Sequence, residues 1–194
     1  MELTILSGSA CRSYEGLTSC GDAVLIASQG PVQLFALVDA LGHGPDAARS
    51  ADRAVAVLKQ NPALPLQELF LACDQALVGM RGIVLSAVQV RSGAVSFSGV
   101  GNVELYGPPE VRRPPSVSGT LGRGFKVFRE YPLEGVMGQR WVLVSDGLRA
   151  RDMSKAMVAV SGLEAGAAAQ ELLKLAARPD DDASVLVMDF QGHG

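Results

Sequence analysis

The sequence predicts an α+β fold in which two mainly antiparallel sheets are sandwiched between helices. Three observations carry this. Short apolar runs with strand character dominate both ends and the middle of the chain. Two helical patterns stand together between them, and one more stands near the end. The composition supplies enough apolar material for a substantial core, with 48% hydrophobic residues in 194 and a mean hydropathy of +0.23. We expect a single domain over residues 1–194, because no repeat, low-complexity stretch or long linker divides the chain.

Taken in order, residues 23–28 read as a strand, Gln29-Gly30-Pro31 as a turn, and residues 32–38 as a second strand. The latter is almost continuously apolar, which predicts burial on both faces. Pro45 suits the first position of a helix, and Asp46 suits the positive end of its dipole. Ala47, Ala51, Ala54, Val55 and Leu58 then recur at helical spacing as far as Asn61. Pro65 opens a second helix, with Leu66, Leu69, Phe70, Cys73 and Leu77 on one face. Residues 83–90, 94–100 and 103–106 read as strands, the first two joined by a hairpin turn at Arg91-Ser92-Gly93. The proline-rich stretch 107–116 reads as a loop. Residues 125–131 and 141–144 are predicted strands, 164–177 an Ala/Leu-rich helix, and 183–190 a final strand.

The net charge of −3 and a pI near 5.4 exclude the basic stripe a nucleic-acid binder needs. No apolar run approaches the ~20 residues of a membrane helix, and no signal peptide is evident. Cys11, Cys20 and Cys73 are odd in number and form no CxxC, which argues against a disulfide framework or a zinc knuckle. A cytoplasmic, reducing location is the expectation.

Four acidic sites stand where predicted strands begin or end. They are Asp22 in Gly21-Asp22, Asp39 in Asp39-Ala40-Leu41-Gly42-His43-Gly44, Asp146 in Ser145-Asp146-Gly147, and Asp181 and Asp182 in Pro179-Asp180-Asp181-Asp182-Ala183-Ser184. Carboxylates at buried strand ends are costly without a partner, and Lys and Arg are sparse around them. All-carboxylate ligation suits Mg²⁺ or Mn²⁺ rather than zinc. Each motif alone reads as a turn or an exposed loop; the four in this order make the case for a dinuclear site.

That set resembles the PPM-type metal-dependent protein phosphatases. The Asp-x-x-Gly-His-Gly form is similar to the SpoIIE-like bacterial branch and its free-standing, RsbX-like stressosome feedback phosphatases. Met80-Arg81-Gly82, the segment from Ser98 to Val103, and Ser118-Gly119-Thr120-Leu121 support it. The likeness runs from about Cys20 to about Phe190, nearly the whole chain. The resemblance implies a four-layer α/β/β/α sandwich with two Mn²⁺ or Mg²⁺ ions between the sheets. Asp39 would bridge both ions and the Ala40 carbonyl would add a ligand. Asp22 would serve one ion, and Asp146 and Asp181 the other. The implied activity is hydrolysis of phosphoserine or phosphothreonine by a metal-bridging hydroxide. The implied partners are phosphorylated STAS-domain stressosome proteins of the RsbS and RsbR kind. A non-catalytic adaptor on the same fold, and a phosphatase of small phosphoesters, are the competing readings.

The chain departs from the family where Ala40 replaces the usual glycine, and no phosphate-binding arginine is matched near the N-terminus. Arg12 qualifies by location only, a solvated arginine being the simpler reading. Arg149 and Arg151 fit a role facing substrate and a charged helix start equally well. His43 can protonate the leaving oxygen from a place near the metals, and a turn histidine without that role fits as well. Asn102 reads more readily as a turn residue than as part of the site. The sequence leaves oligomeric state open.

Overall fold

The computed structural model describes residues 2–14 and 18–193. Its elements, in chain order, are β1 (Glu2–Arg12), β2 (Asp22–Gln29), β3 (Val32–Ala40), α1 (Pro45–Gln60), α2 (Leu66–Ala76), β4 (Ile83–Arg91), β5 (Ala94–Val100), β6 (Glu104–Tyr106), β7 (Tyr131–Pro132), β8 (Arg140–Val144), α3 (Ala150–Ala159), α4 (Ala165–Ala176) and β9 (Ala183–His193). One sheet has the order β1-β9-β8-β6 and the other β2-β3-β4-β5-β7. Every pairing of these strands is antiparallel.

Three apolar slabs hold four layers together. In β3, Leu34, Ala36, Val38 and Ala40 face α1 and α2, joining Ala51, Leu58, Leu69 and Phe70. The alternate residues Phe35 and Leu37 face the other sheet, where Trp141, Leu143, Leu186, Met188 and Phe190 meet them. In β8 and β9 the opposite parity (Val142, Val144, Val185, Val187) packs under Met153, Leu172 and Ala176 of α3 and α4. This is the two-residue alternation of a strand buried on both faces. It is the α/β/β/α arrangement the sequence predicts.

The β4–β5 turn falls at Ser92-Gly93, both at positive φ (50° and 84°), as a type I′ hairpin requires. Three elements differ from expectation. β1 is an edge strand, and its run of small residues, Ser7-Gly8-Ser9, gives little strand signal. Its partner decides it, β9 pairing with all eleven residues. A side chain at Gly8 would lie 2.3 Å from the Gly166 backbone nitrogen, so glycine lets α4 seat on the sheet. α3 is absent from the sequence reading, because only Met153, Ala156 and the following Val160 bury a face. The predicted strand 125–131 is largely loop, only Tyr131–Pro132 pairing with β5. Phe125 and Phe128 both pack into the slab beneath α1 and α2, and residues three apart on a strand would point to opposite faces.

Candidate metal centre

The slab between the sheets is apolar along most of its length and polar at one end. The strand alternation explains which residues arrive there. On β3 the side facing the other sheet runs Phe35, Leu37, Asp39. On β9 it runs Phe190, Met188, Leu186, Ser184, and then Asp182 just before the strand. Asp22 sits directly across from Asp39 in the β2–β3 register. Asp146 follows close on the end of β8, and Asp181 precedes β9. Two sheets thus bring four sequence-distant acids to one end of their shared interface.

Asp22 is 5% exposed. It accepts a hydrogen bond from Ser184 Oγ at 2.8 Å and another from the Ser145 hydroxyl. Ser145 and Ser184 are themselves cross-linked. The Ser184 amide donates to Ser145 Oγ at 2.9 Å, and the Ser145 amide to the Ser184 carbonyl at 3.1 Å. Burial pushes the Asp22 carboxyl up to about 7 against these hydrogen bonds, and the charges of Asp182 and Asp146 add to the rise. Asp39 is pushed up to about 9, by burial first and then by Asp22, Asp146 and Asp181. Asp181 also shifts upward, from burial and from Asp146. Asn102 Nδ2 donates to Asp146 Oδ2 at 2.7 Å. Asn102 is therefore a site residue; the positive φ that a turn role would call for belongs to its neighbour Gly101.

This donor set fits hard divalent cations. The candidate ligand atoms are carboxylate oxygens, mutually repulsive and partly desolvated. Among the described residues no Lys or Arg ion pair reaches Asp22, Asp39, Asp146 or Asp181. Among the described residues, no three acidic, His or Cys side chains are gathered about a single point. The carboxylates are spread along the end of the slab. Ala40 is compatible with a carbonyl ligand. Its amide donates to the Gly21 carbonyl at 3.0 Å, its methyl is buried toward α1, and its φ is not positive. The glycine usual at this position is thus not required by the backbone.

Asp182, one residue past the expected ligand, has a different task. It is 5% exposed and accepts from the backbone amides of Gly21 at 2.8 Å and Tyr14 at 2.7 Å, so it holds the segment leading into Asp22. Gly147 makes room for it: a side chain there would lie 1.9 Å from the Asp182 carbonyl oxygen. His43 is exposed, and its ring stacks on Tyr14 with centroids 5.1 Å apart. Arg12 is exposed and donates to the Arg178 carbonyl. Arg149 and Arg151 both line a cavity of about 530 Å³ beside Asp146, shared with Asn102, Ser145 and Arg178. Arg149 is tied to Asp152 at 2.7 Å. Ser145 and Ser184 are site residues that the sequence does not single out. They stand inside the motifs of Asp146 and Asp181, but nothing in the sequence assigns them to Asp22.

Comparison with known proteins bears on the whole chain. No family model matches it. The phosphoserine phosphatase RsbX of Bacillus subtilis is 26% identical over 145 residues, covering 72% of each chain. The crystal structure of RsbX with magnesium superposes with a TM-score of 0.83 at 20% identity, covering 98% of this chain and 99% of that one. The chain is a homologue of RsbX with the PPM phosphatase fold. A chain from a structural study of the bacterial stressosome has the same TM-score, 0.83, at 28% identity, covering 95% and 99%. More distant PPM phosphatases share the fold. The enzyme MsPP of Mycobacterium smegmatis reaches 0.75 over 96% and 98% of the chains, and PstP, solved with two manganese ions, 0.77 over 98% and 100%, both at 18% identity. Within this fold, Asp22, Asp39, Asp146 and Asp181 share the polar end of the slab between the sheets.

Proposed function

We propose that this chain is a metal-dependent serine/threonine protein phosphatase acting on phosphorylated STAS-domain proteins of a stressosome, as a cytoplasmic feedback regulator of stress signalling. The observation that carries the phosphatase reading is Asp39. It lies across from Asp22 and within the fields of Asp146 and Asp181, with no ion pair to a cationic side chain among the described residues to balance them. Kinship with RsbX and with a stressosome chain favours the phosphoprotein substrate.

Asp22, Asp39, the Ala40 carbonyl, Asp146 and Asp181 would hold two Mn²⁺ or Mg²⁺ ions. Bound there, such ions supply Lewis acidity to the phosphoryl oxygens and an activated water for in-line attack. The chain's own residues prepare that chemistry. Ser145 and Ser184 fix the Asp22 carboxylate from inside the slab, and Asn102 fixes Asp146 from the rim. Such outer partners set ligand orientation. The cavity walled by Arg149, Arg151 and Arg178 opens beside Asp146, giving an anionic phosphoprotein segment a basic surface to approach. His43 would hand a proton to the leaving serine oxygen from the rim. His43→Ala should then lose rate only with poor leaving groups, and equal loss with aryl phosphates would remove that role.

The test is phosphate release from an aryl phosphate and from a phosphothreonine STAS protein, with Mn²⁺, with chelator, and with Asp39→Asn. Activity should require Mn²⁺ and fall by about 100-fold or more in Asp39→Asn. Release from the aryl phosphate but not from the STAS protein would shift the substrate class. No release from either by folded protein would leave the adaptor reading.

A further inference from the structure

Two of the three cysteines meet where β1 ends and β2 is about to begin. Cys11 and Cys20 are nine residues apart in sequence, and their sulfurs are 3.0 Å apart. Both are free thiols, Cys11 exposed and Cys20 half-buried. Nothing in the phosphatase chemistry uses them. Their contact is also well seated. Cys11 stands opposite Ser184 in the β1–β9 register, with the Ser184 hydroxyl 3.5 Å from its sulfur. Cys20 lies 3.7 Å from the Arg12 carbonyl and immediately precedes Gly21, whose amide Asp182 holds.

We propose that Cys11 and Cys20 form a reversible disulfide site that, on oxidation, locks the start of β2 to the end of β1. The sulfurs need to approach by only about 1 Å to reach bonding distance. A peroxide is the oxidant. The exposed Cys11 sulfur attacks a peroxide oxygen, the O–O bond breaks, and one water or alcohol leaves, giving a sulfenic acid at Cys11. The Cys20 sulfur then displaces that oxygen as a second water, and the S–S bond forms. Two thiols are oxidised by two electrons and one peroxide is reduced. A dithiol reductant reverses the change. A pair of this kind in a reducing compartment suits a transient, redox-responsive bond rather than a permanent one. Cys73, buried on α2 against α1, provides an internal control.

The full chain is treated briefly with hydrogen peroxide, alkylated and mapped without reduction; trypsin cleaves after Arg12 and puts Cys11 and Cys20 on separate peptides. The expected result is one Cys11–Cys20 cross-link with a loss of about 2 Da, reversed by dithiothreitol, with Cys73 still reduced. Oxidation should also raise Tm by about 5–10 °C, since closing a short loop restrains the unfolded chain. Cys20→Ser should show neither change. A cross-link through Cys73, sulfinic acid at Cys11 beside an alkylated Cys20, or a cross-link with no rise in Tm would each overturn the proposal. None of these readouts depends on phosphatase activity.

Discussion

At the residue scale, the site is a problem of charge. Asp22 and Asp39 hold their protons in the folded chain up to about pH 7 and 9, whereas an ordinary carboxyl loses its proton near 3.8. Between those values the folded state binds more protons than the unfolded one. Stability therefore falls as pH rises from about 4 through 7 and on to 9. In chelator, the urea midpoint should drop steadily from pH 5 to pH 9, and a flat or rising profile would contradict the electrostatic reading. Mn²⁺ binding must displace those protons, so its affinity should rise over the same interval. Ser184→Ala removes the 2.8 Å hydrogen bond to Asp22. It should weaken Mn²⁺ activation by about 10-fold while leaving the rate at saturating Mn²⁺ nearly unchanged; a loss confined to that saturated rate would place Ser184 in the chemistry instead. The acids themselves are legible in the sequence, because Asp at the end of an apolar strand calls for a partner. The serines and Asn102 are not, since a short polar residue at a strand end is as often a turn.

At the scale of elements, one arginine ties the α3–α4 corner to the sheet. Arg140 opens β8 and makes a two-pronged contact with Asp189 of β9, at 2.6 and 2.7 Å. It also donates to the carbonyls of Val160 and Leu163, which end α3 and lead into α4. The pair is mostly buried, at 16% and 20% exposure. Removing the arginine strands the Asp189 carboxylate and takes a donor from the Leu163 carbonyl, whereas the Val160 carbonyl keeps the Leu163 amide. Arg140→Ala should cost about 2–3 kcal/mol in denaturant unfolding, with no change in the Mn²⁺ requirement. A loss below about 0.5 kcal/mol would rank it with ordinary surface pairs. The helices at residues 45–60 and 66–76 can be read from spacing alone. α3 and β1 cannot, for their apolar faces are thin and their stability comes from what they lie against. The 125–131 segment misleads in the opposite direction. Its aromatic residues have strand propensity, but Phe125 and Phe128 anchor a loop to the core.

At the scale of the whole molecule, the acids belong to different sheets. Asp22 and Asp39 come from the β2–β3 pair, and Asp146 and Asp181 flank β8 and β9. Cations held among them would join the two sheets at the one end where the apolar slab gives way. Mn²⁺ should therefore stabilise the fold by mass action, by about 2.7 kcal/mol at 100 times its dissociation constant. That corresponds to a rise in Tm of about 5–10 °C. Asp39→Asn should abolish most of this shift. A wild-type Tm that ignores Mn²⁺ would mean the carboxylates do not act together.

The sequence by itself determined the layer order and marked the candidate acids, because both are local. A short continuous apolar run marks a buried strand, helical spacing marks its cover, and a charged residue at a strand end is conspicuous against an apolar run. The tertiary structure alone decided which residues serve those acids. Ser184 reaches Asp22 across 162 positions, Asn102 reaches Asp146 across 44, and Asp182 holds Gly21 across 161. Hydrogen bonds of this kind leave no periodic trace in a sequence. They exist because two twisted sheets, packed through alternating apolar residues, end at the same place.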